Sequence, residues 1–183
     1  IVALVDSVDE RAERKIVRNI ELIGLVLPQS FASAALWGKG DSDALRIERV
    51  TAAKARLEFG GVALPPLDID VSLSGEGGIS MVTLANDEQK LLVKIEPNGA
   101  KAKIEMTAKS LALPFGTDFK LDEFSGKGML SAGDVTLSEF EARAYDGYLS
   151  GNARLRWGAA WSLDGEVAGR QIDAPALIGA AMQ

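Results

Sequence analysis

Residues 148–169 read YLSGNARLRWGAAWSLDGEVAG. From Leu149 to Trp157 every second residue is apolar or small, with Ser150, Asn152, Arg154 and Arg156 between them. After Gly158-Ala159-Ala160 the alternation resumes through Trp161, Leu163 and Val167. A period of two belongs to a strand with one face buried and the other in water. So short a connection joins antiparallel neighbours, because parallel strands need a crossover of a dozen residues or more.

Outward from this pair the same period holds back to Leu45. Leu67, Ile69, Val71 and Leu73 alternate with Asp68, Asp70, Ser72 and Ser74, and further runs are Leu91, Val93, Ile95 and Ala102, Ile104, Met106. Gly60-Gly61, Gly75 to Gly78, Pro97-Asn98-Gly99, Ala132-Gly133-Asp134 and Asp146-Gly147 punctuate them as turns. About eight to ten strands are expected, in the usual range for one large sheet or a sandwich. Two segments, Ile47 to Ala52 and Leu137 to Ala142, share an apolar pair broken by one extra residue, the pattern of a bulge. With Ala63-Leu64-Pro65 and Ala112-Leu113-Pro114 before comparable strands, they suggest a weak internal repeat.

The N-terminal fifth reads differently. Ser7-Val8-Asp9-Glu10 has the form of a capping box, and Val8, Ala12, Ile16, Ile20 and Ile23 fall three or four apart, which predicts an amphipathic helix from Val8 to Gly24. Asp9, Glu10, Glu13 and Glu21 offset its basic residues, so it is expected to pack on its own domain rather than on a membrane surface. Residues 173–182, with Asp173 and Pro175 at their start, predict a short C-terminal helix. The fold expected is mainly β (α+β): a large curled antiparallel sheet or sandwich with these two helices, residues 1–44 forming the helix and connection and 45–183 the β domain.

A chain of 183 residues, 47% hydrophobic and 25% charged, can bury a core without covalent staples. A formal charge of −6 without basic clusters argues against nucleic acid. With no cysteine there is neither disulfide nor thiolate chemistry, and with no histidine the commonest general base and metal ligand are missing. No cofactor or metal is expected, and an enzyme is not expected. The opening Ile1-Val2-Ala3-Leu4-Val5 is shorter than a signal peptide's apolar region of about 7 to 15 residues, so the chain is expected to be a piece of something longer.

Other motifs carry little. Gly38-Lys39-Gly40 and Gly126-Lys127-Gly128 lack the remainder of a phosphate loop and read as turns or bulges. Asp41 and Asp43, Asp68 and Asp70, and Asp122 and Glu123 form acidic pairs, but Asp68 and Asp70 point to the wet face of their strand, where solvent keeps a carboxylate ordinary. Leu149, Leu155, Trp157, Trp161, Leu163 and Val167 share one phase and are the candidate lining of an apolar groove or core.

The stretch Gly126 to Ile178 resembles the C-terminal β unit of the AsmA family of bacterial envelope proteins. The resemblance is carried by Leu137-x-x-Phe140-x-Ala142, by Tyr145-Asp146-Gly147-Tyr148-Leu149-Ser150-Gly151-Asn152-Ala153-Arg154-Leu155-Arg156-Trp157, by Trp161-Ser162-Leu163-Asp164-Gly165 and by Ile172-Asp173-x-x-x-Leu177. Tyr148 stands where the family often has a second glycine. The resemblance implies a module of a larger periplasmic protein, anchored in the inner membrane by a segment outside this chain. It further implies outer-membrane biogenesis or lipid transport, with lipid acyl chains or envelope proteins as partners. A protein-binding assembly module that works by strand addition is the alternative expectation. A carbohydrate-active enzyme using Asp68, Asp122 and Asp146 stands well behind both.

Overall fold

The computed structural model describes residues 2–5, 8–9, 15–28, 45–59, 62–63, 65–86, 90–112, 120–157, 162–173 and 175. The chain is mainly β, with no helical element among the described residues. Its strands are β1 (Val2–Val5), β2 (Val8–Asp9), β3 (Lys15–Val17), β4 (Ile20–Ile23), β5 (Val26–Pro28), β6 (Leu45–Ile47), β7 (Arg49–Phe59) and β8 (Val62–Ala63). They continue with β9 (Leu67–Leu73), β10 (Ile79–Asn86), β11 (Leu91–Asn98), β12 (Lys101–Ala112), β13 (Lys120–Leu130), β14 (Asp134–Ala144), β15 (Gly147–Arg156) and β16 (Ser162–Arg170). Contacts divide the chain into a first unit, Ile1–Asn86 with Lys94–Ala100, and a second, Asp87–Val93 with Lys101–Gln183.

In the first unit the strand order is β1-β4-β7-β9-β10, with β5 and β8 also pairing β7. β4 runs parallel to the first half of β7, Ile20 opposite Val50, and β5 runs parallel to its second half, Val26 opposite Arg56. Between them Gly24 takes φ 71°, which glycine adopts without a Cβ penalty, and the neighbouring Leu25 is buried. Its carbonyl accepts from the Arg56 N–H at 2.9 Å. Leu25, Ala52, Ala55 and Ile69 form a buried cluster with Leu22, Leu57, Val71 and Leu84 against it. A smaller sheet, β2-β3-β6, has β3 parallel to β6. The Gly75 to Gly78 run is a hairpin turn, as its composition predicts, closed by Ser74 N–H to Gly78 O at 2.7 Å.

Two expectations are corrected here. The amphipathic helix from Val8 to Gly24 is not formed: the described part is strand, in β2, β3 and β4. A spacing of four residues, as in Ile16 and Ile20, is in phase with a period of two as well as with a helical face, so it could not separate the two. β-branched residues decide it. Ile16, Val17, Ile20, Ile23 and Val26 lose side-chain freedom in a helix and suit a pleated surface with partners on either side. The sheet, in consequence, is mixed rather than purely antiparallel: residues 24–48 between β4 and β7 supply the long crossover that parallel pairing requires. The expected C-terminal helix falls largely outside the described residues.

The second unit contains the meander β12-β13-β14-β15-β16, each strand antiparallel to the one before. The register shifts where the sequence pattern predicts a bulge. Leu137 faces Ala153 and Phe140 faces Gly151, so Ser138 and Glu139 share one opposing position. The Ser138 hydroxyl donates to Lys127 O at 3.1 Å, satisfying a carbonyl beside the break. Beyond β14, Tyr145 (φ 51°) and Asp146 (φ 59°) make a two-residue turn with both centres left-handed, the form whose twist matches that of the flanking strands.

Candidate functional site

Registers in the second unit place whole rows of side chains on one face. The first row runs Ala102, Leu130, Val135, Leu155, Leu163, and the second Ile104, Gly128, Leu137, Ala153, Gly165. The third runs Met106, Gly126, Phe140, Gly151, Val167, and the fourth Ala108, Phe124, Ala142, Leu149, Gly169. No position in these rows is charged or carries a polar side chain. The bulge keeps them so: it brings Leu137 and Phe140, three apart in sequence, to the same face.

Large and small side chains alternate across the rows. The Phe124 ring stacks with that of Phe140 at 6.0 Å between centroids, and a Cβ on Gly126 would stand 3.2 Å from the Phe124 ring. Backbone comes closer still. A Cβ on Gly128, Gly151 or Gly165 would lie inside contact distance of Thr136 O, Glu166 O or Asn152 O respectively. The face is thus ridged by aromatic and branched residues and grooved where glycine and alanine stand.

The face is partly covered: Ala102, Ile104, Ala108, Leu137 and Ala142 on it are buried. Its described strands make their contacts with sheet neighbours, and among described residues no large side chain is fully buried. Leu121, Ala142 and Ala144, with Phe124, Tyr145 and Leu149 against them, form a buried cluster at one end of the rows. Toward β16 the face opens, Leu163 being 62% and Val167 61% exposed.

The opposite face is polar, and every strand junction on it carries an ion pair. These are Lys109–Glu123 at 3.5 Å, Lys127–Glu139, Arg154–Asp134 at 2.6 Å, and Arg156–Asp164. Glu139 raises the Lys127 pKa, chiefly through its hydrogen bond. The hydroxyl of Ser131, and then the Arg154 guanidinium, hold the Asp134 carboxyl below the usual carboxylate range against the opposing effect of its burial. At the end of the strands Lys90, Lys109, Arg143 and Arg170 border an open concavity of about 1110 Å³, with Arg143 lying 5.5 Å from the Tyr148 ring centroid.

Of the groove candidates, Leu149, Leu155 and Trp157 are half-buried, Leu163 and Val167 are exposed, and Trp161 lies outside the described residues. Leu155 faces Leu163 directly across the β15–β16 pair. The register also gathers Ile104, Met106, Phe124, Leu137 and Phe140 onto the same face; the alternation of Ile104 with Met106 was visible in sequence, the alignment of all five was not. Among the acidic candidates Asp70 pairs with Arg49, raising the Arg49 pKa, and Asp68 accepts from the Lys54 N–H at 2.8 Å. Asp122 and Asp146 are exposed, the latter in the hairpin turn. Lys127 of the second Gly-Lys-Gly triplet is mid-strand, beside the bulge; the first triplet and Asp41 and Asp43 lie outside the described residues. Among the described residues no cluster of acidic side chains could hold a metal ion, and no helix is long and apolar enough to cross a membrane.

Fold and site together define a β-sheet protein whose second unit has apolar, uncharged rows on one face and ion pairs on the other. Comparison with protein-family models, with curated proteins and with solved structures gives no match to this chain.

Proposed function

We propose that this chain is a non-enzymatic module of the bacterial cell envelope, part of a larger membrane-anchored periplasmic protein of AsmA-like type. In this reading its apolar face shields lipid acyl chains during outer-membrane biogenesis or lipid handling. The observation that carries the reading is the set of uncharged rows on β12 to β16, open at Leu163 and Val167. An apolar sheet face needs a cover, whether a helix, a second sheet or a ligand. Acyl chains suit this one because they make no hydrogen bonds and conform to a surface of ridges and glycine-floored grooves. The charged residues stay on the other face, where they keep the module in water.

Delipidated protein titrated with a fluorescent phospholipid tests the proposal. Saturable uptake is expected, weakened at least about tenfold by Leu163→Glu, which sets a charge against the bound chain at a cost above about 1.4 kcal/mol. Absence of saturable uptake sinks the lipid reading. A second reading, an assembly module joined by strand addition, is favoured by one feature: β16 has no described partner on its outer side.

A further inference from the structure

Among the described residues β16 is an edge of an unusual kind. Its nine residues pair with β15 from Ser162–Arg156 to Arg170–Tyr148 without a register shift, and SLDGEVAGR contains neither proline nor lysine. Natural edge strands are commonly shortened, bulged or guarded by lysine or proline, because a long straight edge offers its free N–H and C=O groups to another strand. Here Leu163 and Val167 also stand exposed on the apolar side of that edge, as though the rows continued.

We propose that the occupant of this edge is β16 of a second copy, paired antiparallel across a two-fold axis that passes through Val167. Such an axis, perpendicular to the sheet, keeps the apolar rows of both copies on the same side. The charges choose the register. Centred on Gly165, the pairing sets Asp164 against Glu166, and centred on Glu166 it sets that carboxylate against itself. Centred on Val167, Asp164 of each copy faces Arg170 of the other, Glu166 faces Ala168, Gly165 faces Gly169, and the two Val167 side chains meet. Centring on Ala168 also opposes unlike charges, Glu166 and Arg170, but it shortens the paired stretch and leaves Val167 against glycine. The Val167 register joins the longest stretch with complementary charge. It also sets unlike charges across the junction, as at every junction from β12 to β16, with Asp164 shared between Arg156 of its own chain and Arg170 of the other. The inference stands on the edge and its charges, independently of lipid binding.

The chain has no cysteine, so single cysteines report the register cleanly. Sedimentation of the full chain is expected to show a concentration-dependent dimer. Mild oxidation should then link Val167→Cys to itself in high yield, while Ala168→Cys, whose counterpart lies out of disulfide reach in this register, stays unlinked. Arg170→Asp should weaken the dimer at least about tenfold by opposing Asp164, and adding Asp164→Arg in the same chain should restore it. A chain that stays monomeric at high concentration overturns the proposal. So does linkage through residue 168 in preference to 167, or a double variant as weak as the single one. Both cysteine sites are exposed, so the variants are expected to fold; circular dichroism matching the parent verifies this.

Discussion

Gly151 shows how little room the sheet leaves at single positions. A methyl group there would meet the Glu166 carbonyl, so Gly151→Ala must push β16 away from β15. We expect a loss on the order of 3 kcal/mol, read from the urea midpoint, as for overpacking in a tight interior. Gly126→Ala meets the Phe124 ring and the end of the Leu137 side chain, which can shift, and should cost less. Asp134 adds a pH dependence. Its folded pKa lies below the unfolded value of about 3.9, so its stabilising effect is present above that value and disappears as pH falls through the folded pKa. Asp134→Asn should therefore be less stable than the parent at neutral pH, and the two denaturation midpoints should converge as acid protonates the parent's carboxyl.

At the scale of elements, the bulge in β14 makes a prediction that ordinary strands do not. Deleting Ser138 leaves Leu137, Glu139 and Phe140 in simple alternation, so the apolar rows survive and the variant should fold, losing only the hydroxyl's bond to Lys127 O. Deleting Asn152 from the unbulged β15 would turn one side of that strand over, sending part of the Leu149 to Leu155 row to the wet face; loss of cooperative unfolding is expected. These elements were legible in sequence because each strand from Leu45 onward carries its own alternation, and in the second unit finds its partner next along the chain. The described part of 8–24 was misread because β3 and β4 find their parallel partners, β6 and β7, far away in sequence, and a spacing of four suits either period. For the candidate site, the phase of Leu149, Leu155, Leu163 and Val167 could be read directly. Which glycine faces which large side chain could not, since that depends on the register fixed at Ser138 and Glu139.

For the whole molecule, apolar rows that run out to the exposed Leu163 and Val167 imply an unusual surface. The native protein is expected to bind an apolar dye such as ANS, to lose that fluorescence on unfolding, and to release dye as phospholipid is added. If the signal instead rises only in denaturant, the face is closed in solution and the lipid-handling proposal fails with it.

The parallel pairing of β4 with β7 carries a kinetic consequence. The second unit's strands from β12 to β16 each pair with the next along the chain, whereas β4 gains contact with β7 only once the ends of residues 24–48 have been brought together. Refolding should run in that order. Pulse-labelled amide exchange should find 101–170 protected before 20–23, and ribosomal synthesis, which releases the amino-terminal strands first, would leave β4 waiting for β7 to emerge.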